Sequence, residues 1–344
     1  MHSLTAEVAV IGAGTAGCFI ASLLDEAGID CVIIEKSRGM GGRCSRRRID
    51  NDHGIDHGID HGIDLGAPEF SLGKVTSSLL KDKINTWVKA GYLAKWAKTV
   101  SRFDTHIDDD ETLTSLCGSP SMSTWHHKIA GHINILTQTR VQHIEKSNNH
   151  LQLFDASHEL LAVVNKVIIT SPPEQAIDLL NTLSTFSYSS ALPTESLPQY
   201  VCAIGFTEKL TLNAEAYEGG HDTLYRAVRE NSKPNRTCPD SLQDVWLLHS
   251  THDWAQDQCH ADSSNAATQL AKSFCQHFGI EAEPLLLTSH YWRMARHKRV
   301  SHNHPPFIWD DALKVGCCGD WLGSGGTAGA LNSALALHQQ IIGH

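Results

Sequence analysis

Residues 7–17 read EVAVIGAGTAG, a short apolar run that passes directly into a glycine-rich turn. The run Glu7–Ile11 is rich in β-branched residues, which is typical of a buried parallel strand. The turn matches G-x-G-x-x-G, in which Gly12 suits a tight turn, Gly14 a close backbone approach to a diphosphate, and Gly17 close helix packing. This stretch predicts the start of a dinucleotide-binding βαβ unit.

The following segment completes that unit. Residues 18–27 are helix formers, Gly28 suits the end of a helix, and the run CVII at 31–34 predicts a second buried strand. Glu35 ends this strand 21 residues after Gly14, the offset at which an acidic side chain accepts hydrogen bonds from an adenosine ribose. A glycine-rich turn in an unrelated α/β protein is the alternative, but here strand, helix and acid are all in register.

The next motif distinguishes FAD from a nicotinamide cofactor. The sequence EKSRGMGGR at 35–43 continues from the second strand. Gly41 and Gly42 let the backbone pass close to a dinucleotide, and Arg43 can offer its guanidinium to phosphate oxygens. This run resembles that of the amine-oxidase-like flavoproteins and therefore favours FAD.

A second motif lies near the C-terminus. The strand-like run LKVGCC at 313–318 leads into Gly319-Asp320, a glycine-rich turn, and an apolar helix from about 327 to 342. Asp320 can hold the ribityl hydroxyls or the diphosphate region of FAD. The helix N-terminus can face the flavin edge where reduction builds negative charge. A capping aspartate before an ordinary terminal helix is the alternative.

Composition excludes several classes of partner. The 344 residues carry a formal net charge of −10 with dispersed acids, which disfavours nucleic acid and anionic membranes as partners. No run approaches the roughly 20 apolar residues of a membrane span. The ten cysteines form no CxxC pair, which argues against a zinc ribbon or a thioredoxin-type dithiol. Several of them lie in apolar runs, so we interpret them as reduced thiols and predict a cytoplasmic location.

The predicted fold class is α/β, with a Rossmann-like FAD-binding domain of three-layer ββα architecture and a mixed α+β substrate domain. The FAD-binding domain is predicted to be discontinuous (1–70, 111–180 and 296–344). The substrate domain takes 71–110 and the irregularly patterned 181–295. Within the first domain, Leu160–Val164 and Lys166–Thr170 are predicted as separate strands, followed by a helix that Pro172-Pro173 opens.

The sequence His-Gly-Ile-Asp occurs three times in tandem at 53–64. On a helix, His53, His57 and His61 would share one face and suggest a metal site. Glycine at every fourth position argues against a helix, so a surface loop or an extended hairpin is favoured. No metal site is predicted.

The chain resembles the renalase-like FAD-dependent oxidoreductases, a branch of the amine-oxidase class, over nearly its whole length. The segments that carry the resemblance are VAVIGAGTAG, EKSRGMGGRCSRRR, DLGAPEF, GSPSM, NSKP, WLLHSTHDW, HYWRMA and GDWLGSGGTAGALNS. Two departures stand out. Pro68-Glu69 replace the Gln and aromatic residue that usually follow DLGA, and HYW at 290–292 replaces His-Arg-Trp.

The resemblance implies a non-covalently bound FAD that accepts a hydride on flavin N5 from dihydro isomers of NAD(P)H. It also implies molecular oxygen as the electron acceptor and hydrogen peroxide as product. The residues expected to bind the cofactor are Gly12, Gly14, Thr15, Ala16, Gly17, Glu35, Lys36, Arg38, Gly42, Arg43, Gly66, Ala67, Val141, Gly319, Asp320, Thr327 and Ala328. The candidate catalytic wall is Trp292, His290, Trp246 and Tyr225, each of which can alternatively be core packing.

Two other functions stay open at this stage. An amine or polyene oxidase of the same class would use the same cofactor. A flavin-binding scaffold or redox sensor without turnover would share the cofactor motifs but have no donor. The turn Ser324-Gly325-Gly326-Thr327 contains no cysteine, so covalent attachment of the flavin there is not expected. The sequence leaves the oligomeric state open.

Overall fold

The computed structural model describes residues 4–49, 62–104, 111–183, 195–297 and 305–343. The strands within these ranges are β1 (Leu4–Ile11), β2 (Cys31–Ile34), β3 (Arg46–Arg48), β4 (Gly62–Asp64), β5 (Leu93–Ser101), β6 (Glu111–Gly118), β7 (Asn134–Leu136), β8 (His143–Ser147), β9 (His150–Phe154), β10 (Leu160–Ile169), β11 (Ser196–Phe206), β12 (Ala216–Glu218), β13 (Leu224–Arg229), β14 (Asp244–Ser250), β15 (Leu286–His297), β16 (Phe307–Asp310) and β17 (Val315–Cys318). The helices are α1 (Thr15–Glu26), α2 (Ser78–Lys89), α3 (Thr124–Ala130), α4 (Pro173–Leu180), α5 (His252–Asp257), α6 (Ser263–Phe278) and α7 (Gly326–Ile342).

The first large sheet has the strand order β16-β17-β10-β1-β2-β7, and its five strands from β17 to β7 run parallel. The hairpin β8-β9 extends it alongside β10. Val8 to Ile11 of β1 are buried because separate apolar clusters cover the two faces of the sheet. This is the burial that makes parallel strands uniformly apolar. The predicted Rossmann-like unit is confirmed.

One strand differs from its prediction. Leu160–Val164 and Lys166–Thr170 were expected to be separate, but they form the single strand β10. The polar residues between the two apolar halves do not interrupt it, because Asn165 and Lys166 both bind the carboxylate of Glu7 on β1. Glu7 on the neighbouring strand thus binds the two polar side chains, Asn165 and Lys166, that separate the two predicted strands in the sequence.

The second large sheet has the order β15-β11-β14-β13-β12-β5-β6, and only its β12-β5 pair is parallel. Helix α6 packs against β11, β13, β14 and β15. Although the sequence pattern of 181–295 is irregular, residues 195–297 form five strands and two helices, which agrees with the predicted mixed α+β character. Strand β6 was assigned to the FAD-binding domain, yet it pairs with β5 in this second sheet. The division into two domains stays otherwise a prediction.

Two further observations concern the tandem repeat and the absence of a membrane-spanning helix in the described ranges. Strands β3 and β4 form an antiparallel pair, and β4 is the last Gly-Ile-Asp of the tandem repeat. The rest of the repeat lies outside the described residues. None of the helices in the described ranges is long and apolar enough to cross a membrane.

Candidate active site

The first glycine-rich turn joins β1 to α1 and requires glycine at two positions, Gly12 and Gly17. Gly12 has a φ of 108°, a conformation that favours glycine. A Cβ on Gly17 would lie 1.9 Å from the Gly12 carbonyl oxygen, so only glycine lets α1 pack this close to the turn. A Cβ on Gly14, by contrast, would meet nothing within 4 Å. Gly14 therefore borders open space in front of the helix.

Glu35 lies at the end of β2 and ties two loops together. One carboxylate oxygen accepts a hydrogen bond from the Ala13 amide at 2.7 Å, and the other accepts from the Ser37 amide at 2.7 Å. The side chain is buried beside the glycine turn, where the sequence placed a ribose-binding acid. The position agrees with that prediction, although its role toward a ribose is still a prediction.

Two helix N-termini converge beside Cys44. The thiol lies 3.8 Å from the Thr15 hydroxyl in the first turn of α1 and 3.9 Å from the Thr327 hydroxyl in the first turn of α7. Neither helix has an acidic residue in its first turn, and the N-cap residue of each is a glycine. The Asp320 carboxylate accepts a hydrogen bond from the Gly326 amide at the start of α7. Burial raises the pKa of Cys44 to about 11, so the thiol is neutral. Both helix ends carry partial positive charge, and the N-terminus of α1, which has no capping side chain, is suited to an anion.

Thr15 is oriented by a buried histidine. Its hydroxyl lies 3.0 Å from His126 Nε2, while His126 Nδ1 lies 3.1 Å from the Met122 carbonyl oxygen. The carbonyl can only accept, so Nδ1 carries the proton and Nε2 accepts from Thr15. Burial lowers the pKa of His126 to about 3, which keeps the ring neutral.

Arg43 and Asp320 form an ion pair between the two glycine motifs. The guanidinium reaches the two carboxylate oxygens of Asp320 at 2.5 and 3.1 Å and also donates to the Ala295 carbonyl on β15. Burial alone would raise the pKa of Asp320, but the Arg43 charge and hydrogen bonds hold it below its ordinary value. The ionised carboxylate thus stands next to the first turn of α7.

The turn Leu65-Gly66-Ala67 follows β4 and is held from the second sheet. Trp292 Nε1 donates to the Leu65 carbonyl at 2.6 Å, and His249 Nε2 lies 3.0 Å from the Gly66 carbonyl. Glycine is required because a Cβ on Gly66 would lie 2.0 Å from the Arg43 carbonyl oxygen. The second sheet therefore sets the position of a turn that belongs to the cofactor motifs.

Two buried charge clusters anchor this turn at both ends. Before it, Asp64 pairs with Lys233 at 3.2 Å and with Arg236 at 2.5 Å, and the side chains of all three are at most 1% exposed. After it, Glu69 binds both Lys98 and Arg226. Removing one partner of such a cluster leaves an uncompensated buried charge, which is costly.

His249 is neutral and donates a hydrogen bond to the turn. Because Nε2 donates to the Gly66 carbonyl, Nδ1 carries a lone pair, and Nδ1 is buried without a partner among the described residues. Burial, together with the charges of Arg226, Arg296 and Lys233, lowers the pKa of His249 to about 4. A buried acceptor without a protein partner is uncommon, and Nδ1 can accept a hydrogen bond from a bound water or ligand.

The four predicted wall residues do not lie together. Trp292 and His290 are neighbours, with ring centroids 4.3 Å apart, and Trp292 faces the Leu65 turn. Tyr225 is 37% exposed on β13. Trp246 is fully buried on the opposite face of β14, against Phe274 of α6. Its assignment to the catalytic wall is corrected, because strand alternation turns it away from the turn that His249 faces.

The predicted cofactor residues lie mainly at these motifs. The turn before α1 contains Gly12 and Gly14, and the first turn of α1 contains Thr15, Ala16 and Gly17. Gly42 lies against Gly14, and Arg43 pairs with Asp320. The segment 319–328 leads into the first turn of α7. Lys36 and Arg38 are exposed beyond β2, with Lys36 Nζ donating to Gln175 at 2.8 Å. Val141 is buried in the apolar cluster on one face of the first sheet. Its role in cofactor binding stays a prediction.

Sequence reasoning missed His249, Lys98, Arg226 and the exposed Arg296. The signal for His249 was available, since WLLHS alternates between the two faces of a strand and places the histidine opposite Trp246. Lys98 and Arg226 had no such signal, because their shared partner Glu69 is far away in sequence. Within the described residues, no group of His, Cys, Asp and Glu side chains is arranged to hold a metal ion.

Comparisons with known proteins agree with this architecture. Residues 10–69 match the model of the NAD(P)-binding Rossmann-like domain. A redesigned triple mutant of putrescine oxidase superposes with a TM-score of 0.70 at 9% identity, covering 99% of this chain and 100% of that chain. A putative protoporphyrinogen oxidase from Exiguobacterium sp. gives 0.70 at 12% identity and 99% coverage of both chains.

Cyclohexylamine oxidase from Brevibacterium oxydans gives a TM-score of 0.69 at 13% identity, covering 98% of this chain and 99% of that chain. The chain therefore has the fold of these oxidases over nearly its full length. The match supports the broad amine-oxidase-like class at the level of fold. The narrower renalase-like resemblance remains a prediction.

Proposed function

We propose that this chain is an FAD-dependent oxidoreductase that binds its cofactor non-covalently and oxidises a reduced nicotinamide-type donor, a dihydro isomer of NAD(P). Molecular oxygen would take the electrons and yield hydrogen peroxide. The observation that carries the proposal is the convergence of the N-termini of α1 and α7 beside the Arg43–Asp320 pair.

The residues present fit FAD. A Cβ on Gly42 would lie 3.2 Å from the Gly14 Cα, so the two glycine motifs are in close contact. The helix ends and Arg43 would hold the diphosphate, and Asp320 the ribityl hydroxyls. Glu35 would hold the adenosine ribose. When bound, FAD supplies a two-electron acceptor for the hydride of the donor and returns the electrons to oxygen.

The side chains facing the Leu65–Ala67 turn suit hydride removal without acid or base chemistry. His249 and His290 have pKa values lowered by burial, His249 to about 4, so His249 stays neutral near pH 7. A dihydropyridine loses hydride to become aromatic and needs no proton to be abstracted. Neutral walls would orient such a donor and exclude water.

An amine oxidase is the second candidate, because two of the similar folds are putrescine oxidase and cyclohexylamine oxidase. An amine would enter as a cation and would have to lose a proton before oxidation. Arg296, one of the charges that lower the pKa of His249, would oppose a cation at that surface. The charge pattern therefore favours the nicotinamide-type donor.

The test is anaerobic mixing of the purified, FAD-loaded protein with each donor while the visible flavin spectrum is followed. We expect rapid bleaching by dihydro-NAD(P) isomers and little by putrescine or cyclohexylamine, with free FAD as the control. Air should then restore the colour and produce hydrogen peroxide. Bleaching by amines alone would support the second candidate, and bleaching by no donor would overturn the oxidase proposal.

A further inference from the structure

Arg296 and Tyr225 meet across the face of the second sheet. The Arg296 guanidinium carbon lies 5.3 Å from the centroid of the Tyr225 ring, within cation–π range. Their strands β15 and β13 are separated by β11 and β14, so three strand spacings of about 4.8 Å lie between the two backbones. Both side chains must therefore extend over the intervening strands, and together they bridge this face of the sheet.

This bridge lies beside the candidate active site. Arg296 follows Ala295, whose carbonyl accepts a hydrogen bond from Arg43 at 3.0 Å. Tyr225 precedes Arg226, which pairs in register with His249. The bridge therefore connects a residue next to the Arg43 contact on β15 with a residue next to the partner of His249 on β13.

The bridge is open to solvent and has spare hydrogen-bonding capacity. Tyr225 is 37% exposed and Arg296 is also exposed. The Tyr225 ring stacks on His252, with an interplanar angle of 30°. Across the described ranges, no carboxylate forms an ion pair with Arg296. An ordered guanidinium without an acidic partner can take two phosphate oxygens at once.

Arg296 adds a positive charge at the bridge, whereas the neighbouring Arg226 and Arg43 are paired with Glu69 and Asp320. The whole chain has a formal net charge of −10. His249, His290 and His297 each have a pKa that burial lowers most and that arginine charges lower further. The arginines are Arg226 and Arg296 for His249, Arg47 for His290, and Arg43 for His297. A local positive potential on an acidic protein concentrates anionic ligands at this place.

We propose that Arg296 determines specificity by binding a phosphate group of the donor, with Tyr225 holding the guanidinium in position. This rests on the proposed function, because it assigns a subsite for the diphosphate of a dihydro-NAD(P) isomer. It also changes the role of Tyr225, which becomes a positioning residue at the rim and no longer a wall against the reacting atoms.

The test compares two donors of the same dihydronicotinamide ring isomer, the dinucleotide and a neutral N-alkyl derivative without phosphate. Anaerobic stopped-flow measurements with the FAD-loaded protein give the Kd and the limiting bleaching rate for each donor. In Arg296→Gln, the preference in Kd for the dinucleotide should fall on the order of tenfold to a hundredfold. Arg296→Lys should restore part of it, and the wild-type preference should weaken at high salt.

The matched control is Arg102→Gln, which removes an exposed arginine paired with Asp104 on the β5 side of the second sheet. It should leave the preference between the donors as in wild type. An unchanged preference in Arg296→Gln, with wild-type flavin still bleached by the donors, would overturn this inference alone. Wild-type flavin that neither donor bleaches would overturn the proposed function, and the subsite with it.

Discussion

At the scale of single residues, the site depends on histidines that are kept neutral. His126 and His249 are both at most 5% exposed, and burial lowers their pKa values to about 3 and about 4. Each has a defined tautomer, since one ring nitrogen donates to a backbone carbonyl. A neutral ring with a fixed tautomer orients the Thr15 hydroxyl in one case and the Gly66 carbonyl in the other.

The pKa of His126 predicts a loss of stability in mild acid. Its folded value of about 3 lies below the ordinary 6.5, so its stabilising contribution is complete above pH 6.5 and is lost as the pH falls toward 3. Between pH 7 and pH 5 this group should lower the free energy of unfolding by about 2 kcal/mol. Urea unfolding of wild type and His126→Gln at both pH values measures the difference.

The variant provides the comparison because glutamine does not titrate in this range. Its free energy of unfolding should fall by about 2 kcal/mol less than that of wild type over the same interval. An equal fall in both proteins would show that His126 is not held neutral by the fold.

At the scale of elements, the two glycine motifs are informative because each strand–turn–helix is local in sequence. The predicted β1, β2 and α7 match the structure closely, since the burial of a short parallel strand is visible in its composition. The second sheet could not be predicted in this way. Its strand β12 pairs with β5, more than a hundred residues earlier, and no local pattern encodes that partner.

The residues of the candidate site also differ in whether a local sequence motif predicts them. Gly12, Glu35, Arg43 and Asp320 were predictable because each occupies a fixed offset within a local motif. His249 and the exposed Arg296 depend on the register of β14 and β15 against distant strands. Trp246 was misassigned because the alternation in WLLHS separates it from His249 but does not indicate which of the two faces lies toward the site.

The turn before α1 allows the same substitution to be made at two positions with opposite consequences. In Gly17→Ala the added Cβ would lie 1.9 Å from the Gly12 carbonyl oxygen, so the free energy of unfolding should fall by about 1–3 kcal/mol. In Gly14→Ala the Cβ meets nothing within 4 Å and the φ of −79° suits alanine, so stability should be retained.

Gly14→Ala should instead weaken FAD binding by about tenfold or more, because the methyl group enters the space that the cofactor would occupy. Urea unfolding of the cofactor-free proteins and titration with FAD, followed by flavin fluorescence, measure the two effects separately. Equal destabilisation by both variants, or wild-type FAD affinity in Gly14→Ala, would contradict this assignment of the turn.

At the scale of the whole molecule, the two large sheets contribute different groups to the candidate site. The parallel sheet presents helix N-termini and an ionised Asp320, while the antiparallel sheet presents His249, Trp292 and Arg296 from its facing surface. Their contacts converge on the Leu65–Ala67 turn, which each sheet helps to position. An overall negative chain with arginines gathered at this junction is suited to an anionic cofactor and an anionic donor.

The measurement that tests the central claim most directly is the cofactor content of the purified protein. The protein should be yellow with the visible bands of oxidised flavin, and acid or heat should release FAD into the supernatant in about one equivalent per chain. Release is expected because the structure places no cysteine in the Gly319–Ala328 region. A colourless protein that does not take up added FAD would contradict the claim.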